Sequence, residues 1–99
     1  MANPQKENGH LRLANELVEI LAGVQLSGYE SRILWAIWRK TYCWNKKEDW
    51  ISFSQFVGMT GLQESHISRT IKKLIKKQII TKNGKLYSFN KNYQNWQVE

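Results

Sequence analysis

Ninety-nine residues suffice for one hydrophobic core and no second domain. Apolar residues make up 41% of the chain, with five Trp, four Tyr and three Phe, which argues for a packed globule and against a disordered tail. The formal charge is +7, and the single cysteine excludes an intramolecular disulfide, so a polyanionic partner in a reducing, cytoplasmic interior is the natural expectation.

Residues 1–9, MANPQKENG, are polar and aperiodic, and lack the apolar centre of a signal peptide. They read as a flexible N-terminal arm preceding a domain over residues 10–99, with Lys6 its only cation. The first helix is expected from about Leu11 to Ala22, burying Leu11, Ala14, Leu17, Val18 and Leu21, with Gly23 as its stop. Ser27 can cap a second helix, and Glu30 three residues later completes a capping box. Tyr29, Ile33, Leu34, Trp35, Ala36, Ile37 and Trp38 point in almost every direction, so this helix is expected to be buried on most sides. Trp35 and Trp38 are read as core, in preference to a stacking platform for unpaired bases; Trp44 and Trp50 stay open between the two. Cys43, among aromatics in TYCWN, reads as a buried small hydrophobe. A polar turn from Asn45 to Glu48 and a brief strand at Trp50 and Ile51 follow.

Ser52 and Gln55 form a second capping box, opening a third helix with Phe53, Phe56 and Val57 inward. Met59-Thr60-Gly61-Leu62 is then a tight turn, for which Gly61 supplies the positive φ. A fourth helix from near Gln63 to near Gln78 places Ile67, Ile71, Leu74 and Ile75 at i, i+4, i+7 and i+8. At about 100° per residue, Ser65, Ser68, Arg69, Lys72, Lys73 and Lys76 fall opposite that stripe. Between Arg69 and Lys85 there are seven cations and no acid. Asn83-Gly84, between β-formers, signals a hairpin with a two-residue turn. Which hairpin face meets the core is ambiguous, because Ile79 and Leu86 point one way and Ile80, Tyr87 and Phe89 the other.

Helix, helix, short strand, helix, turn, helix and hairpin is the order of a winged helix-turn-helix, mainly α with a small β-hairpin. In that arrangement the start of the fourth helix meets base edges and its later residues meet phosphate. Gln63, Ser65, Ser68 and Arg69 are the candidates for readout: Arg69 matches guanine O6 and N7, and Gln63 matches adenine. Lys72, Lys73 and Lys76 suit the phosphate backbone, and Lys82 and Lys85 flank the wing tip. No Gly-rich phosphate loop, paired carboxylates or nucleophile beside a histidine supports an enzyme. His10, His66 and Cys43 lack any metal-ligand spacing, so neither metal nor cofactor is expected. No apolar run is long enough to cross a bilayer.

The strings NPQKENG (3–9), LANELVEIL (13–21), LSGYESRILWAIWRKTYCWNKKEDWIS (26–52), TGLQESHISRTIKKLIKKQII (60–80) and FNKNYQNW (89–96) resemble the N-terminal domain of bacteriophage replication O proteins. The most specific is RKTYCWNKKEDWIS; TGL followed by a basic helix is shared by many winged helices. Two positions depart from the family pattern. Cys43 stands where glycine is usual, and Gln63 occupies an N-cap where Ser is frequent. The resemblance implies sequence-specific binding of double-stranded DNA at inverted repeats of a phage or prophage origin, as a homodimer. It further implies melting of nearby AT-rich DNA, and recruitment of the helicase or its loader through a C-terminal region absent from this chain. Sequence physics leaves open a prophage transcriptional regulator built on the same fold.

Overall fold

The computed structural model describes residues 2–5 and 9–98. Lys6, the cation assigned to the arm, lies outside them. No helix or strand precedes α1 (Asn15–Gly23) among the described residues; α2 (Gly28–Lys40), β1 (Glu48–Trp50), α3 (Phe53–Thr60), α4 (Glu64–Lys76), β2 (Ile80–Asn83) and β3 (Leu86–Phe89) follow. Single 3₁₀ turns occupy Tyr42–Trp44 and Tyr93–Asn95. The molecule is thus mainly helical, with one small antiparallel sheet of order β1-β3-β2.

The first helix starts later than its periodicity suggested. Ala14 is the N-cap residue, in extended backbone and without a side-chain capping bond, and the helix opens at Asn15. The buried stripe is Leu17 with Ile20, Leu21 and Val24, at i, i+3, i+4 and i+7. That rotation leaves Ala14 and Val18 facing solvent, against expectation. Leu11 and Leu13 still pack on the core from an extended segment.

Both capping boxes form. Ser27 Oγ accepts from the Glu30 amide while Glu30 Oε1 accepts from the Ser27 amide. Ser52 and Gln55 repeat the exchange at α3. On α2, Ile33, Leu34, Ala36, Ile37 and Trp38 enter the core, where they meet Ile51, Phe56, Ile67, Ile71, Leu74, Ile79, Ile80, Tyr87, Phe89 and Trp96. Helix α2 is thus buried on most sides, as expected, except along one stripe. Arg32, Trp35 and Arg39 form a solvent stripe at i, i+3 and i+7, and Trp35 is 59% exposed. The Trp35 ring stands edge-on to the buried Trp38 at 5.0 Å. Tyr29 is exposed as well. Trp35 is therefore not core, because it shares the solvent-facing stripe of Arg32 and Arg39.

Strand β1 begins at Glu48, so part of the expected turn is strand, and Ile51 continues the ladder through its amide to the Lys85 carbonyl. The hairpin register pairs Asn83 with Leu86. Its two turn residues are therefore Gly84 and Lys85, not Asn83 and Gly84. Among them only Gly84 has positive φ, at +64°, the pattern of a type II′ turn. Ile80, Tyr87 and Phe89 face the core, and Leu86 lies outside with Trp50 across the β1–β3 pair. Ile79 is buried as well, because it belongs to the turn after α4 rather than to the strand's alternation.

Cys43 is only half-buried, inside the 3₁₀ turn. The left-handed residue of that turn is Asn45, at φ +56°. Cys43 itself is not in left-handed backbone, so a side chain at position 43 meets no αL penalty.

Candidate nucleic-acid interface

Helix α3 ends on Gly61, in the left-handed region at φ +73°, with its amide donating to the Val57 carbonyl at 2.8 Å. Thr60 Oγ1 donates back to the Phe56 carbonyl and accepts from the Leu62 amide, which fixes the path into α4. Gln63 is the N-cap residue of α4, and its side chain makes no capping hydrogen bond. The helix buries Ile67, Thr70, Ile71 and Leu74. Opposite them Ser65, Arg69, Lys72 and Lys76 are exposed, with Lys73 on the flank nearer α2 and Ser68 half-buried on the other. Ile75, placed in the buried stripe by its spacing, is exposed because the stripe centres on Ile67, Leu74 and Ile71, one flank away from it.

Arg69 and Lys77 make hydrogen bonds within the molecule. Arg69 donates from Nε to the Ser65 carbonyl at 3.3 Å, and its Nη2 lies 3.2 Å from His66 Nδ1. His66 in turn meets the Tyr29 ring at 5.1 Å. Lys77 turns inward and pairs with Glu30 at 2.7 Å. Burial opposes ionisation of Glu30, but the Lys77 ammonium and the Ser27 amide outweigh it and hold the carboxyl below its ordinary value of 4.5. Lys77 is thus structural, although the sequence counts it in the basic run.

The hairpin carries the remaining candidates on different sides. Lys82 shares the inner face with Tyr87, its ammonium 5.6 Å from that ring. Lys85 sits in the turn with its ammonium 5.4 Å from the Trp50 ring on the outer face. Ser65, Arg69, Lys72 and Lys76 therefore form one surface, while Lys82 and Lys85 point to either side of a neighbouring projection. Sequence reasoning missed the Lys85–Trp50 contact, which only the strand register reveals. Among the described residues no helix is long and apolar enough to cross a membrane.

Comparison with known proteins bears on what this surface serves. A family model described as bacteriophage replication protein O matches residues 3–96. The chain belongs to that family. It is 36% identical over 93 residues to the DNA replication protein gp18 of Salmonella phage P22, covering 94% of this chain and 34% of the relative. It is 36% identical over 90 residues to Replication protein O of Escherichia phage lambda, covering 91% and 27% respectively. Replication protein 15 of Enterobacteria phage phi80 is 36% identical over 73 residues. The chain spans about a third or less of the length of these relatives. No solved structure matches it. Within the phage replication O family, then, this chain presents a helix whose solvent side is cationic and whose start lacks a side-chain cap.

Proposed function

We propose that this chain is a winged helix-turn-helix domain that binds duplex DNA sequence-specifically at a phage or prophage replication origin, as the DNA-binding part of a replication initiator. The observation that carries the reading is the split of α4. Ile67, Ile71 and Leu74 anchor it, and Ser65, Arg69, Lys72 and Lys76 face outward, with no acid between Arg69 and Lys85. A helix so anchored after a glycine turn, and followed by a hairpin, has the order in which a recognition helix enters the major groove.

On this reading Gln63, Ser65, Ser68 and Arg69 meet base edges, and Lys72, Lys73 and Lys76 neutralise phosphates. Lys82 and Lys85 reach the backbone or an adjacent groove from the wing. Arg69 must leave Ser65 and His66 to do so, exchanging weak local bonds for charge-assisted bonds to a guanine. Residues 10–99 form the binding domain, and residues 1–9 an arm that orders against DNA or a second subunit. Two copies occupy an inverted repeat, and the region of the longer relatives beyond the match holds the contacts to helicase or loader. The role is binding rather than catalysis, in the host cytoplasm. The names of the relatives favour replication over the alternative, a transcriptional regulator.

Selection of duplexes from a random pool, followed by footprinting, tests the proposal. Enrichment of an inverted repeat, with Arg69→Ala relaxing preference at one base pair per half-site, is the supporting result. A pool that emerges without enrichment contradicts it.

A further inference from the structure

Helix α2 turns a second cationic surface to solvent, and it is distinct in chemistry from that of α4. Arg32, Trp35 and Arg39 follow one another along one stripe. The Arg39 guanidinium lies 5.5 Å from the Trp44 ring, which is itself 60% exposed. Arg32, Trp35, Ala36 and Arg39 with Met59 and Thr60 of α3 line a shallow groove of about 390 Å³. At its other end the stripe continues through Tyr29 to His66 and Arg69 in the first half of α4. Cations and rings are thus interspersed from the proposed recognition helix to the turn after α2, and alternate from Arg32 to Trp44.

The geometry points to an unpaired DNA strand as the occupant of this track. Trp35 is held by its edge contact with Trp38, so its outer face is presented in a fixed orientation. A fixed indole face between two guanidiniums suits bases that stack and phosphates that pair. Stacked bases within a duplex do not offer their π-faces to such a surface, whereas an unpaired strand does. A second copy is a poor fit, because a two-fold contact would oppose Arg32 and Arg39 to their own equivalents. The one acid of α2, Glu30, is turned inward to Lys77 and cannot relieve that repulsion. The inference rests on the DNA-binding reading only in explaining why a melted strand would lie close by.

The test compares three labelled probes by fluorescence anisotropy: an oligothymidylate of a dozen nucleotides, an abasic oligomer of equal length, and the duplex recovered by selection. The wild-type chain is expected to bind the oligothymidylate more tightly than the abasic oligomer. Trp35→Ala and Trp44→Ala should each weaken oligothymidylate binding by about 5-fold to 150-fold, the range for loss of one base–aromatic stack. Both should leave duplex and abasic binding unchanged, and Trp35→Phe should retain most of the affinity. Thermal denaturation checks that each variant folds; if Trp35→Ala does not, Trp44→Ala and Trp35→Phe carry the test. The inference is overturned if wild type does not prefer the oligothymidylate over the abasic probe, or if the Trp substitutions spare it. It is equally overturned if Trp35→Ala instead dissolves a dimer or abolishes capture of an acidic peptide while oligothymidylate binding stays. Failure of duplex binding alone, with oligothymidylate binding intact, would sink the duplex reading and leave the track standing.

Discussion

Two residues sit in left-handed backbone at the ends of α3 and α4, and only one of them is glycine. Gly61 has open space where a Cβ would go, so Gly61→Ala should cost only the conformational penalty, about 1–2 kcal/mol. Gln78, at φ +60°, closes α4 with its amide donating to Ile75 and the Ile79 amide to Leu74. Gln78→Gly should therefore stabilise by roughly 0.5–1 kcal/mol, and urea midpoints of the two variants should move in opposite directions. The Glu30–Lys77 pair makes a prediction about pH. A carboxyl held below its ordinary 4.5 contributes stability present above that value, which is lost as pH falls through the lowered one. Lys77→Met should cost about 1–3 kcal/mol at neutral pH, because Glu30 is almost fully buried. The difference from wild type should shrink in acid; a pH-independent difference would show that Lys77 acts through packing alone.

At the scale of elements, local chemistry was well written in the chain. Ser27 with Glu30, Ser52 with Gln55, and Gly61 each do what their spacing announced, because capping and turn geometry depend on neighbours a few residues away. What depends on packing was less legible. The start of α1 and the exposure of Trp35, Tyr29 and Ile75 hinge on which flank of a helix meets a neighbour. One signal was available for Trp35: arginines three residues before it and four after it mark that stripe as solvent. The hairpin turn slipped by one residue because both Asn83-Gly84 and Gly84-Lys85 are acceptable pairs and the ladder decides. The uncapped start of α4 makes its own prediction. Gln63→Ser should add a side-chain acceptor for the first-turn amides and raise stability by about 1 kcal/mol, measured by thermal unfolding.

For the whole molecule, the segment after the sheet closes the core. Trp96 is buried, packs against Phe89 at 5.7 Å and donates its indole N–H to the Asn90 carbonyl at 2.7 Å. Tyr93 donates to Glu16, and the Gln97 amide to the Lys77 carbonyl, so this segment ties α1 to the end of α4. Trp96→Ala should cost about 3–5 kcal/mol, visible as a large fall in the unfolding midpoint. None of this was legible beforehand, since FNKNYQNW has neither helical nor strand period and its role comes from where the chain returns. The candidate surface on α4 was legible almost in full, because a helical period separates buried from solvent residues without tertiary knowledge. Lys77, a cation of the basic run that was not among the candidate contacts, is drawn inward by Glu30, 47 positions away.

The central claim is that the outward side of α4 contacts DNA phosphates. It is tested most directly by titrating duplex binding against salt for wild type, Lys76→Ala and Lys91→Ala, the last an exposed cation outside α4. Each phosphate contact contributes about 0.9 to the slope of log K against log salt. Lys76→Ala should make the slope shallower by about that amount on cognate and random duplex alike, while Lys91→Ala leaves it unchanged. Equal slopes for wild type and Lys76→Ala, or a flat salt dependence for the wild type, would contradict the claim.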